Sequence, residues 1–217
     1  MLKMLKKEIK LSASPLSFIF LAFSLMVFIP GYPILMGVFF ICFGIFQSVQ
    51  RCRENNDLVY SALLPVAKRD VVRGKYAFAL AIEGCGFVLM TVFTLVRMAC
   101  MADAPVYRTN ALMNANFVFL GFALLIFGLF NLIFLGGFFK TSYYFGKPFV
   151  TFLIAFFLTV GVGEALHHIP GLEAVNAFGF TEMPLQLAFL AGGVVLFILF
   201  TAISQAGAIR HFEKIDL

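Results

Sequence analysis

Five apolar stretches, almost free of charge and together occupying most of 217 residues, leave this chain little choice of fold, and the first is long enough to turn back on itself. A helix needs roughly 20 apolar residues to cross a hydrocarbon core of about 30 Å. Measured against that length, the candidate spans are Pro15 to Pro30, Ile34 to Val49, Tyr76 to Cys100, Leu112 to Phe139, Phe149 to Ala165 and Leu185 to Ala208. The first two are parted by Pro30-Gly31-Tyr32-Pro33, where two prolines and a glycine end one helix and begin the next. Barrel strands are excluded, because the runs lack two-residue alternation and exceed about 10 residues. With 62% hydrophobic and 12% charged residues, a soluble core could not cover the apolar surface. The expected fold is all-α and polytopic: one transmembrane domain over residues 1–217, with six transmembrane helices.

The positions of the charges orient it. Of sixteen Lys and Arg, four precede the first span (Lys3, Lys6, Lys7, Lys10) and six lie between the second and third (Arg51, Arg53, Lys68, Arg69, Arg73, Lys75). Lys140 and Lys147 follow the fourth span, and Arg210 and Lys214 the sixth, which leaves only Arg97 and Arg108 on the opposite side. The excess of cationic residues in cytoplasmic loops then places both termini in the cytoplasm. The net charge of +5 faces anionic lipid and cytosolic partners, and nucleic acid is not expected as a partner. A basic head before an apolar run could signal secretion, but no small-x-small cleavage site follows Pro30, so the segment is expected to be retained. Leu2, Leu5 and Ile9 share one helical face and the four lysines surround the other, the pattern of an amphipathic N-terminal interfacial helix over residues 1–14.

Enzyme signatures are weak. Thr141 to Pro148 contains the Gly-Lys of a phosphate loop, but Thr replaces its leading Gly and Pro148 follows the Lys where a hydroxyl would hold Mg²⁺. Glu164-Ala-Leu-His167 has the E-x-x-H spacing of di-iron bundles, which need two copies and two further carboxylates. The His167-His168 pair reads as interfacial. Cys42, Cys52, Cys85 and Cys100 show no CxxC spacing and read as small apolar residues. Neither a metal nor a cofactor is expected in this chain, and its energy source must come from elsewhere.

The hydrophilic loop of residues 50–75 is longer than a connection between neighbouring helices requires. Leu58, Val59, Ala62, Leu63 and Leu64 form an apolar patch among charges; Asn55 to Asp57 can cap a short helix, Pro65 ends it, and Val66 to Lys75 can open a second helix leading into the third span. Such an elbow either dips into the inner leaflet or docks into a cytosolic subunit.

Buried polar residues are the next signal, because an ionisable group inside a span is costly. Glu83 lies about two turns into the third span, where it could line a substrate path or reach the inner interface and pair with Lys or Arg. Arg97, near the outer end of the same span, is expected to snorkel. Asn131, midway along the fourth span, is placed to bond another helix. Gly121, Gly128, Gly161, Ala165, Ala188 and Gly192 sit at helix-contact spacing. Outer residues 166–184 hold Glu173 and Glu182, no Lys or Arg, and several apolar groups, with Pro170-Gly171 at a possible re-entry.

Asp57, Leu58 and Tyr60, followed by Leu63, Leu64, Pro65, Val66, Lys68, Arg69, Lys75 and Tyr76 and set between the second and third of six spans, resemble the loop of small ABC-2-type transporter permeases. The nearest group is the bacterial phenol-soluble-modulin and peptide-antibiotic exporters. The resemblance covers the whole chain in layout and about twenty residues in detail. It implies that Asp57 to Lys75 is a coupling element seated on a cytosolic ABC ATPase subunit. It further implies two permeases, a homodimer or a heterodimer with a related permease, in the lipid bilayer of a bacterial cell membrane. ATP and Mg²⁺ would belong to the partner ATPase, and Glu83, Arg97 and Asn131 are candidates for the translocation path. Short helices dipping into the outer leaflet would join the last two spans. The competing reading is a non-transporting immunity or scaffold protein that binds a toxic peptide; a third, an intramembrane enzyme, would need Glu164, His167 and His168.

Overall fold

The computed structural model describes residues 2–55, 66–141 and 144–214. Among them every regular element is helical. In chain order they are α1 (Leu2–Lys7), a π turn (Glu8–Ser12), α2 (Pro15–Ile19), a 3₁₀ segment (Phe20–Phe28), α3 (Met36–Glu54), α4 (Lys68–Cys100) and α5 (Pro105–Arg108). Then come α6 (Phe117–Leu129), a second π segment (Phe130–Leu135), α7 (Gly136–Thr141), α8 (Gly146–Leu166), a 3₁₀ turn (Glu173–Asn176) and α9 (Met183–Glu213). Four helical stretches are long and apolar enough to cross a membrane: Lys68–Cys100, Phe117–Lys140, Gly146–Leu166 and Met183–Glu213. A fifth span arises if Met4–Ser12 and Pro15–Phe28, bent by 104° at their junction, are counted as one. Met36–Glu54 is not among them, because its inner end carries Arg51, Arg53 and Glu54.

The first expected span departs from a plain α-helix. Ser14 caps it, its hydroxyl accepting from the Leu16 N–H at 3.3 Å with Pro15 in the first turn, and the helix tightens into 3₁₀ geometry from Phe20. Length supplies a reason. Fourteen α-helical residues would reach about 21 Å, whereas five α and nine 3₁₀ residues reach about 26 Å, much nearer the hydrocarbon thickness. The Pro30–Pro33 turn forms where the sequence places it, with Gly31 at φ 73°, a conformation costly for other residues.

Hydroxyls fasten this segment to α3. Ser17 Oγ donates to the Gly44 carbonyl at 2.6 Å and lies 2.7 Å from Ser48 Oγ, which also accepts from the Ser14 N–H at 2.7 Å. The two backbones nearly touch, since a methyl on Gly44 would fall 2.9 Å from Ser17 Cα.

The stretch Phe117–Lys140 is the hub. Of its most apolar 18 residues 78% are buried within the protein, against 17–33% for the other three. Phe119, Phe127, Phe130, Phe134, Phe138 and Phe139 are all fully enclosed there. Of thirty Phe in the chain only Phe18, Phe157 and Phe180 are exposed, so the rings are mostly buried or half-buried against the protein itself. Ring contacts such as Phe46–Phe149 at 3.9 Å and Phe130–Phe152 at 5.0 Å run from α3 through the hub to α8. In lipid, where apolar burial drives little association, this kind of dispersion packing holds helices together.

Candidate functional site

Asp57, Leu58, Tyr60, Leu63, Leu64 and Pro65 lie outside the described residues. The remainder of the loop motif is described. Val66 and Arg69 are exposed, and from Lys68 the chain runs as one uninterrupted helix of 33 residues to Cys100. Val71, Val72 and Tyr76 are buried on its inner face. Lys75 is buried too, only 4% exposed, and its Nζ donates to Glu8 Oε2 at 2.6 Å while Lys7 donates to the other carboxylate oxygen at 3.1 Å. Gly74 lies against Met4, where an added methyl would sit 3.1 Å from the Met4 Cβ. The first turns of α4 are therefore clamped to the N-terminal segment.

Glu8 was not among the residues singled out from the sequence, although it is the lone acid before Glu54 and sits among lysines. The helical-face reading of residues 1–14 also changes here. Ile9 is 47% exposed and Glu8 1%, because the π turn over Glu8–Ser12 rotates Glu8 and Ser12 inward.

Midway through the bundle, Glu83 and Asn131 come together. Asn131 Nδ2 donates to Glu83 Oε2 at 3.0 Å and approaches Thr201 Oγ1 at 3.1 Å. Ser204 Oγ donates to the Asn131 carbonyl and shares a 2.6 Å hydrogen bond with the Tyr76 hydroxyl. That carbonyl is available because the π segment Phe130–Leu135 shifts the ladder, pairing it with the Gly136 N–H five residues on. Gly136 makes room, as a methyl there would fall 2.7 Å from Ser204 Oγ. One polar chain thus joins α4, the π segment Phe130–Leu135 and α9. Among the described residues Glu83 pairs with no Lys or Arg: it is 1% exposed, Asn131 is fully buried, and the carboxylate takes its one hydrogen bond from the amide. Thr201 and Ser204 are ordinary in sequence, Tyr76 stands out there only as the end of the loop motif, and nothing in their spacing announces this meeting.

Arg97 stands apart in the last turn of α4 and does not snorkel. It is 3% exposed, donates through Nη1 to the Val27 carbonyl and through Nη2 to Asn114 Oδ1 at 3.0 Å, and stacks 3.8 Å from the centre of the Tyr107 ring. The segment between α4 and α6 folds over it and supplies both Tyr107 and Asn114.

Three amides then pin the outer loop. Asn114 donates Nδ2 to the Ala177 carbonyl, and its N–H donates to Asn176 Oδ1 at 2.6 Å. Asn116 caps α6, accepting from the Val118 and Phe119 N–H groups, and donates to the Val175 and Ala177 carbonyls. Gln186 donates to the Gly179 and Thr181 carbonyls and accepts from the Phe117 N–H. Residues 166–184 hold a single four-residue 3₁₀ turn, Glu173–Asn176, where short dipping helices were expected. Glu173 itself is exposed, and hydrogen bonds from its own N–H and that of Gly171 hold its carboxyl below the usual range. Glu164 accepts from the Met113 N–H at 2.6 Å, and His167 and His168 both meet the Ala111 carbonyl, so this cluster also ties the loop to the bundle. A cavity of about 420 Å³ opens beside it, lined by Arg108, His167, Glu173, Asn176, Phe178 and Thr181 among others.

Apolar spans around a buried polar seam define a polytopic membrane protein. A family model described as ABC-2 family transporter protein matches residues 2–213, nearly the whole chain, and the chain belongs to that family. It is an ABC-2-type permease, the membrane component of a transporter. No curated protein and no solved structure matches it.

Proposed function

We propose that this chain is the membrane-spanning subunit of an ABC exporter in a bacterial cell membrane, driven by a separate cytosolic ATPase. Six crossings, the bent N-terminal segment and α3 included, put both termini and the 50–75 loop on the cytoplasmic side, as the distribution of Lys and Arg favours. Asp57 to Lys75 is the docking element, and two permeases pair over two ATPases. Cargo is hydrophobic or amphipathic, a peptide, antibiotic or lipid-like molecule.

The observation that carries this reading is the uninterrupted helix from Lys68 to Cys100. A push on the loop reaches the bundle without a joint at which it could be lost. The Glu8–Lys75 pair brings the N-terminal segment along with it. ATP binding can bias the bundle only by stabilising one of its arrangements over another, and a stiff connection gives that bias a route. Glu83, Asn131 and Arg97 then serve as closures of the resting arrangement, and a path opens where their bonds part.

A tagged copy should recover an ABC ATPase from the native membrane, and a variant combining Leu63→Asp with charge reversal at Lys68 and Arg69 should lose it. Undiminished recovery by that variant would place docking elsewhere.

A further inference from the structure

The amide–carboxylate contact in the middle of the bundle is unbalanced as a pair of heavy atoms. Glu83 Oε2 accepts from Asn131 Nδ2, yet Glu83 Oε1 and Asn131 Oδ1 are both enclosed without a hydrogen-bond partner among the described residues. Both are acceptors if the carboxyl is ionised, so nothing in the pair can satisfy either. Buried polar atoms are almost always paired, and two orphans on one contact call for an explanation. Among the described residues Glu83 makes one hydrogen bond and no ion pair. The titratable groups near enough to feel its charge are the Cys42 thiol on α3 and the Tyr76 phenol on its own helix. Asn131 faces it from the π segment, and Thr201 reaches that amide from α9. None of these is a cation.

We propose that Glu83 is a proton-binding site: it carries a proton on Oε1 and donates it to Asn131 Oδ1, closing a two-point acid–amide pair between the third and fourth spans. One proton, taken up from water, turns Oε1 from acceptor to donor and supplies the partner that Asn131 Oδ1 lacks. The group is then a neutral clasp, which also removes it as an electrostatic lure for a cationic cargo. The inference concerns the chain by itself and stands whether or not an ATPase drives it.

Infrared difference spectra between the wild-type full chain and E83Q, both in detergent at neutral pH, read the protonation state directly. The expected result is a carbonyl band of a protonated carboxylic acid that shifts in D₂O and is lost in E83Q. Asn131→Leu should keep the band and move it to higher frequency, since the acid loses its hydrogen-bonding partner. E83Q should fold with the wild-type Tm, because the Gln amide reproduces both contacts of the acid. If E83Q instead removes a pair of carboxylate stretching bands, the residue is ionised and the proposal falls. The same holds if those bands move with sodium concentration, which would make the site one for a metal cation. Failure of E83Q to fold would overturn it equally, since a neutral isostere should be tolerated.

Discussion

Lys75 and Glu8 meet at 2.6 Å with 4% and 1% of their side chains exposed, which sets this pair apart from the half-exposed Arg73–Asp70 contact at 3.8 Å on the same helix. Exposed pairs of the latter sort contribute about 0–1 kcal/mol. Breaking a buried pair from one side strands the other charge and costs about 3–5 kcal/mol. Glu8→Ala should therefore lower the thermal unfolding midpoint in detergent markedly, Asp70→Ala hardly at all, and the double variant Glu8→Leu with Lys75→Met should recover most of the loss. Equal sensitivity of Glu8 and Asp70 would mean that the N-terminal clamp contributes nothing. At this scale the sequence marks which residues are unusual more readily than what they touch. Glu83, Arg97 and Asn131 stand out because charge and amide are rare in apolar runs. Their partners do not, since Asn131 lies 48 residues from Glu83 and 70 from Thr201, and Asn114 lies 17 from Arg97.

Helices cross most closely where α6 meets α9. A methyl at Gly121 would fall 2.5 Å from the Phe189 carbonyl, and one at Gly193 would strike the Gly121 backbone, whereas Gly192 has open space beyond its Cα. Small residues let backbones approach in lipid, where close packing replaces the hydrophobic drive. Gly193→Ala should thus destabilise by about 1–3 kcal/mol through overpacking, and Gly192→Ala should match or slightly exceed wild type; unfolding midpoints of the two in one detergent decide it. An equal loss in both would move the contact off this seam. The spacing of small residues points to the seam but names Gly192, its lipid-side neighbour, in place of Gly193, because one-residue phase on a helix is fixed by the partner. Element boundaries follow a similar division. Prolines and glycine at 30–33 mark the first turn plainly, while the 3₁₀ stretch answers to span length, the first π turn to the Glu8–Lys75 pair and the second π segment to Ser204, none of which leaves a local pattern.

For the molecule as a whole, charge asymmetry and apolar run length already define a membrane bundle, and the family match over residues 2–213 agrees with the class read from the loop. Structure adds the connection between ends. The 33-residue α4 spans about 50 Å at helical rise, from Lys68 past the Glu83–Asn131 contact to Arg97 and the residues that enclose it. A push at one end thus meets each polar closure in turn. The central claim is that the chain is a passive bundle worked through that helix by another subunit. Reconstitution of the purified chain into vesicles, with and without its ABC ATPase and with ATP supplied on the loop side, measures this most directly. The account predicts cargo movement only when both subunits and hydrolysable ATP are present, and none with an ATPase whose Walker lysine is disabled; cargo movement by the chain alone would contradict it.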